Sequence, residues 1–363
     1  MKILKLADLK RKYFLLALVG FIILVLLGDD PLEVLPFVQQ KRMYCSHNQI
    51  KSPYCDFSVV RTLEGHPTAS ALAISADSKT LVGGGQDKKI KVWDLPTGKL
   101  KKTLPSDSGE IQAVAIAPDG KTVVSGSGDR LVRIWDITSD KPPRLLKGHS
   151  GNVTHVDISS DGKTIISLDR GRDPEIKVWD LATGEQKARL PYLHFDDISP
   201  DGETVLFTSP ASQLIAWDVT TNQQQVLQKF FRPSDSARIG LDGHTLISLK
   251  QGIFTKQAKR YFDLKISDLT TGKVKTKERF SRWMFRPYES DIALSRNFMI
   301  GSTLKGLAVW NLQTAKLEAT LNKDNFNKDN LSNLVVSPDG KLLVGITGNS
   351  DSYNSEILVL QRP

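Results

Sequence analysis

Cysteine is almost missing from this chain. Its 363 residues contain two, Cys45 and Cys55, and none follows. A fold stapled by disulfides is therefore excluded for the bulk of the sequence. In an oxidising compartment the two would close a small loop, and in a reducing one they would remain thiols. Together with His47 they amount to three soft ligands in one short stretch, too few for a structural zinc site. Also absent is a glycine-rich phosphate loop ahead of a helix, because Gly83-Gly84-Gly85 sits in a strand-like stretch. No G-x-S-x-G nucleophile elbow occurs in a suitable setting. With only six histidines, few centres of acid–base chemistry are available. No metal or cofactor is expected. Nor is a strong charge of one sign present: the net charge is +9. Residues 1–56 hold eight basic and five acidic residues, so a third of that excess lies outside the remaining chain. Nucleic-acid binding is not expected, since it needs a broader basic footprint.

Long apolar runs are missing too, with one exception. Lys2, Lys5, Lys10, Arg11 and Lys12 precede an apolar stretch from Tyr13 to Gly28, which ends at Asp29, Asp30 and Pro31. A basic flank followed by an apolar core reads as a signal anchor or a signal peptide. As a helix it would span about 24 Å, against about 30 Å of hydrocarbon. Cleavage after Gly28 would put Leu26 where a small residue is preferred, and no A-x-A sequence follows. An uncleaved anchor is the favoured reading over a cleaved signal or a buried core helix. The lysines would stay in the cytoplasm, placing all that follows on the other side of the membrane. The lack of later cysteines is compatible with export. The expected organisation is a basic cytoplasmic segment (1–12), a transmembrane helix (13–28), a linker with the cysteine pair (29–56) and one folded unit (57–363).

What fills the rest is repetition. IKVWDLPTGK begins at residue 90, VRIWDIT at 132, IKVWDLATGE at 176, LIAWD at 214, LKISDLTTGK at 264, LAVWNLQTAK at 307 and EILVLQ at 356. The tryptophan slot falls at Trp93, Trp135, Trp179, Trp217, Ser267, Trp310 and Leu360, with spacings of 38 to 50 residues. A period of about 40–45 residues with this signature marks a propeller blade. Each copy reads as four short strands, here called a to d. Residues 111–117, 121–127, 131–137 and 142–148 are one such set, separated by Gly, Asp and Pro turns. The a–b turn recurs as Asp-Gly at 119–120, 161–162, 201–202, 242–243 and 339–340, where Asp bonds its own backbone and Gly supplies positive φ.

The pattern resembles the WD-repeat β-propeller family over residues 57–363. Gly65-His66 and Gly148-His149 match its GH dipeptide, and Asp87, Asp129 and Asp173 match its turn aspartate. The resemblance implies an all-β, seven-bladed ring. It also implies that His, a strand-b Ser or Thr, the Asp and the Trp hydrogen-bond within a blade. Blade 3 offers His149, Ser167, Asp173 and Trp179 together. Blade 1 has His66, Asp87 and Trp93 but glycines in the Ser slot, and later blades, with Trp217 and Trp310, depart further. Residues 58–66 resemble 143–149, a strand d, and are expected to complete blade 7 beside EILVLQ, closing the ring.

The a–b and c–d turns are short and share one face. The extra length falls in b–c loops at 168–175, 250–263 and 348–355 and in d–a loops at 280–288 and 322–330, on the opposite face. Binding residues usually sit on such loops. Lys250 to Arg286 carries eleven basic residues against Asp263, Asp268 and Glu278, interleaved with aromatics. Arginine beside aromatic rings suits acidic partners. The candidate contact residues are Arg170, Arg172, Lys256, Lys259, Arg260, Arg279, Arg282, Trp283 and Arg286. The expectation is a non-catalytic protein-interaction scaffold, anchored in a membrane and facing it with the short turns. The alternative is an extracytoplasmic hydrolase or lyase with a channel site at His155, Asp157, His194, Asp196 and Asp197.

Overall fold

The structure is a computed structural model of the full chain. It describes residues 57–63, 68–105, 109–192, 194–229, 235–254, 259–281, 292–303, 306–322, 331–347 and 356–362. The basic N-terminal segment, the apolar run 13–28, Cys45, Cys55 and His66 lie outside them. Among the described residues, no helix is long and apolar enough to cross a membrane.

The first strand, β1 (Ser58–Leu63), is set aside by the chain until the end. Blade 1 follows as β2 (Ala69–Ile74), β3 (Thr80–Gly85), β4 (Lys89–Asp94) and β5 (Lys99–Pro105). Blade 2 is β6 (Ile111–Ile116), β7 (Thr122–Ser127), β8 (Val132–Asp136) and β9 (Arg144–Leu146). Blade 3 is β10 (Asn152–Ile158), β11 (Thr164–Arg170), β12 (Glu175–Asp180) and β13 (Gln186–Pro191). Blade 4 is β14 (His194–Ile198), β15 (Thr204–Thr208), β16 (Gln213–Asp218) and β17 (Gln224–Lys229). Blade 5 is β18 (Ser236–Ile239), β19 (Thr245–Phe254), β20 (Lys259–Asp268) and β21 (Val274–Ser281). Blade 6 is β22 (Ile292–Leu294), β23 (Phe298–Thr303), β24 (Gly306–Asn311) and β25 (Leu317–Asn322). Blade 7 is β26 (Leu331–Val336), β27 (Leu342–Thr347) and β28 (Ile357–Gln361), completed by β1.

All seven sheets are antiparallel with four strands. Ring closure is as the repeat pattern requires, with Ser58 opposite Gln361 and Leu63 opposite Ile357. One feature repeats in the turns: the Asp of Asp-Gly accepts N–H groups two or three residues on, as Asp119 does from Lys121 and Thr122. Gly120 supplies the φ of 65° there, a conformation that strains any residue with a Cβ.

The blades hold each other through apolar faces. Trp93 packs with Val344, Ile346 and Val359 of blade 7. Trp135 packs with Val92 and Leu104 of blade 1, and Trp217 with Ile166 and Val178 of blade 3. The face of strand c that carries the tryptophan therefore looks toward the preceding blade. A second tie lies outside. Lys102 of β5 donates to the Ser139 carbonyl and pairs with Asp140 at 2.8 Å, in the c–d turn of blade 2. Arg144 of β9 donates to the Leu181 and Ala182 carbonyls in the same turn of blade 3. Arg61 of β1 lies against Gly98 in that turn of blade 1.

Two segments differ from the sequence reading. The b–c connection of blade 3 is shorter, because β11 runs on to Arg170. In blade 5, residues 250–263 are mostly not a loop. The strands β19 and β20 continue, pairing Lys250 with Asp263 and Phe254 with Lys259. Each is ten residues long, where the corresponding strands of other blades have five to seven.

Candidate functional site

The internal network of blade 3 is complete but uses a different aspartate. His149 Nε2 lies 2.6 Å from Ser167 Oγ, and the Trp179 indole donates to the same oxygen at 2.7 Å. The fourth member is Asp169, whose Oδ2 stands 3.3 Å from His149 Nδ1. It also accepts the Ser150 and Gly151 N–H groups, while Oδ1 accepts Glu175 N–H at 2.8 Å. Asp169 is fully buried, whereas Asp173 is exposed, so the assignment of Asp173 was wrong. Burial pushes the Asp169 carboxyl up, but those N–H groups and His149 outweigh it and leave it below the ordinary value. Burial is also the main reason that His149 is lowered, against the pull of Asp169.

The other blades vary this arrangement. Trp135 donates to Ser125, but Asp129 there grips Arg133 through both oxygens, at 3.1 and 2.5 Å. Asp87 accepts Lys89 N–H and lies 3.7 Å from Lys91. Trp217 reaches Asn222 in the c–d turn, at 3.1 Å. Trp93 and Trp310 are fully buried.

The channel cluster resolves into bridges. Asp157, Asp197 and Arg238 stand at the same position of strand a in blades 3, 4 and 5, two residues before Ser159, Ser199 and Gly240, which pair back across each a–b turn. Asp196 accepts Ala237 N–H at 3.0 Å and the Thr208 hydroxyl at 3.0 Å, and its Oδ2 lies 3.8 Å from His194. Asp197 accepts Ile239 N–H at 2.7 Å, and Arg238 donates to the Asp196 carbonyl. Both aspartates thus fasten blade 4 to blade 5. Asp157 accepts the N–H of its own neighbour Ile158 at 2.8 Å. Burial raises Asp157 to about 7, with Asp197 adding repulsion, and burial raises Asp197 to about 6 against the attraction of Arg238. His155 packs at a tilt against Phe195, with ring centroids 4.8 Å apart. Among the described residues no group of three or more His, Cys, Asp or Glu is placed to hold a metal ion.

Of the proposed contact residues, Arg170 and Arg172 are exposed at the b–c connection of blade 3. Lys259 and Arg260 begin β20. Arg279 is exposed but bidentate on Asp263, at 2.6 and 2.9 Å. Lys256, Arg282, Trp283 and Arg286 lie outside the described residues. The fourth strands, the most exposed of most blades, carry a charge pattern missed in the sequence. β1, β5, β9, β13, β17, β21 and β25 together hold eleven Lys and Arg against Glu278 and Glu318. Some of these cations serve the WD aspartates: Lys101 pairs with Asp94 at 2.8 Å and Lys187 with Asp180 at 2.9 Å. Each lysine is the main reason its aspartate is lowered to about 2.

Comparison with known proteins agrees with this geometry. A family model described as "WD domain, G-beta repeat" matches residues 57–94, 98–136 and 140–180. No curated protein matches in sequence. Among solved structures, the β-propeller domain of Cps50 (Swd1) from Myceliophteria thermophila superposes with a TM-score of 0.64 at 14% identity. That match covers 84% of this chain and 99% of that domain. At such identity the likeness speaks for the fold alone. The three matched spans run from β1 to the end of β12, so residues 57–180 carry WD repeats, and the ring they open is a seven-bladed β-propeller.

Proposed function

We propose that the protein is a non-catalytic interaction scaffold that binds a protein partner through the face bearing its b–c and d–a connections. The observation that supports this best is the blade 5 hairpin. β19 and β20 continue about four residues past the ends of their counterparts and carry Lys259 and Arg260 with them. A rigid ring with one extended basic hairpin suits an acidic partner. The membrane anchor at residues 13–28 belongs to the same reading, with the N-terminus cytoplasmic and the propeller extracytoplasmic. It rests on the lysine flank, the apolar run and the scarcity of cysteine.

The channel alternative has less support, because Asp196 and Asp197 are engaged with main-chain N–H groups of blade 5. The deciding experiment for the scaffold is partner capture. The triple change Arg260→Glu, Arg282→Glu and Arg286→Glu should abolish pull-down of a partner that the wild-type chain retains, with the melting temperature unchanged. Equal capture by the variant would refute the assigned face. Topology is tested separately by protease protection: a propeller cut only after the cytoplasmic membrane is opened from within would overturn the orientation.

A further inference from the structure

The first three blades place a cation on strand c, two residues before the tryptophan, and give it a carboxylate. Lys91 lies 3.7 Å from Asp87, Arg133 2.5 Å from Asp129, and Lys177 2.7 Å from Glu175. Blade 5 keeps the cation, Lys265, and keeps an acid at the place of Glu175, Asp263. Here, however, Asp263 is turned to Arg279, which holds both its oxygens. Directly opposite Lys265 on the neighbouring strand stands another lysine, Lys277. Like charges at opposed positions of a sheet repel. Neither Lys265 nor Lys277 has an ion-pair partner among the described residues.

Two further observations point the same way. The tryptophan slot of blade 5 is Ser267, on the same strand face as Lys265. It is 1% exposed, and its hydroxyl makes no hydrogen bond among the described residues. A buried hydroxyl without a partner is costly, about 1–3 kcal/mol. This face looks toward blade 4, by the rule that Trp93, Trp135 and Trp217 follow. The outer strand of blade 4, β17, reads QQVLQK and contains no carboxylate. Nothing on the facing strand neutralises the lysines.

We propose that the outer part of blade 5, at Lys265 and Lys277, is an anion site that receives a carboxylate side chain from an extended acidic segment of a protein partner. It supplies from outside the acid that blades 1 to 3 carry within. This rests on the scaffold reading but moves the specific contact from the hairpin to the side of the blade.

The test uses the full-length chain and a fluorescein-labelled octapeptide with glutamate at alternate positions, followed by anisotropy at low salt. Wild type should bind saturably. Lys265→Gln with Lys277→Gln should weaken binding about tenfold or more while keeping or raising the melting temperature, because it removes a repulsion. Lys277→Gln alone, at an exposed position, should show part of the loss. A charge-matched control, Lys99→Gln with Lys141→Gln on blades 1 and 2, should bind as wild type does. Lack of wild-type binding, an equal loss in the control, or unchanged binding in the lysine pair variant would each overturn the proposal. So would preference for a phosphopeptide of the same spacing over the glutamate peptide. Partner capture that is lost on reversing Arg260, Arg282 and Arg286 but untouched by the lysine pair variant would sink this site and leave the scaffold reading standing. Peptide binding that persists when no partner is captured would do the reverse.

Discussion

His149 and Asp169 are both withdrawn from solvent, and each is tolerable only because the other, Ser167 and three N–H groups satisfy it. Removing one member of such a buried set leaves the others unpaired, at about 3 kcal/mol or more. Asp169→Ala should therefore lower stability by about 3 kcal/mol. Asp173→Ala, at an exposed site, should change it by less than about 0.5 kcal/mol. Urea denaturation of the two variants compares them, and a larger loss from Asp173→Ala would contradict the network described. The sequence pattern was misleading here for a definable reason. Counting back from strand c finds an aspartate at the same offset in blades 1, 2 and 3. The structure counts from strand b instead. Asp169 stands opposite Val153, as Ser127 stands opposite Ile111 and Gly85 opposite Ala69. The connection after it in blade 3 is two residues longer, which carries Asp173 out into solvent. The tryptophan was legible because it sits on strand c, from which the count was made; the network aspartate was not, because it sits on strand b, beyond a connection of variable length.

At the scale of the strand and hairpin, the register was readable wherever alternation met a turn signal. The four strands of blade 2 fall within two residues of their expected limits, and the pairing of β1 with β28 follows from the likeness of VVRTL to PRLL. Blade 5 was harder. Between Lys250 and Asp263 there is one glycine and no proline, so the absence of a turn signal was itself the sign that the strands continue. The strand lengths lead to a prediction. β19 from Thr245 to Gln251 and β20 from Phe262 to Asp268 already match the strands of other blades, and Phe262 and Leu264 are buried. Replacing residues 252–261 by Asn-Gly, a pair suited to a two-residue hairpin turn, should leave the ring folded. The melting temperature should stay within about 4 °C of wild type, the shift that roughly 1 kcal/mol produces in a protein of this size. Partner capture should be lost if the hairpin is the contact. Collapse of the fold on shortening would mean that the extension is structural rather than a docking element. The inter-blade ties have a comparable logic: Lys102 and Arg144 reach the next blade, whereas the matching position in blade 3 is Ala188. Blades 7, 1, 2 and 3 are therefore tied along their outer edge as well as through their faces.

For the whole ring, the balance of its carboxylates sets how stability depends on pH. Most turn aspartates are lowered, Asp94 and Asp180 to about 2 through Lys101 and Lys187, so their contribution is present above the ordinary carboxylate value and is lost as pH falls through the folded one. Asp157 and Asp197 act in the opposite sense. Burial raises them to about 7 and about 6, so each favours the folded ring when protonated, and that contribution is lost as pH rises from about 4 through those values. His149, lowered mainly by burial, opposes them as pH falls below its ordinary value. A comparison of variants isolates the channel term. Asp157→Asn keeps an oxygen to accept Ile158 N–H but cannot ionise beside Asp197. At pH 8 it should melt at least about 2 °C above wild type, since desolvated charge no longer has to be carried across blades 3 and 4. At pH 5, where the wild-type carboxyl is already mostly protonated, the two should coincide to within about 1 °C. Scanning calorimetry of both proteins at the two pH values reads the difference directly. A gap of the same size at both would show that Asp157 does not titrate in this window, and a variant less stable at pH 8 would show that its charge is held by Arg238 rather than merely tolerated.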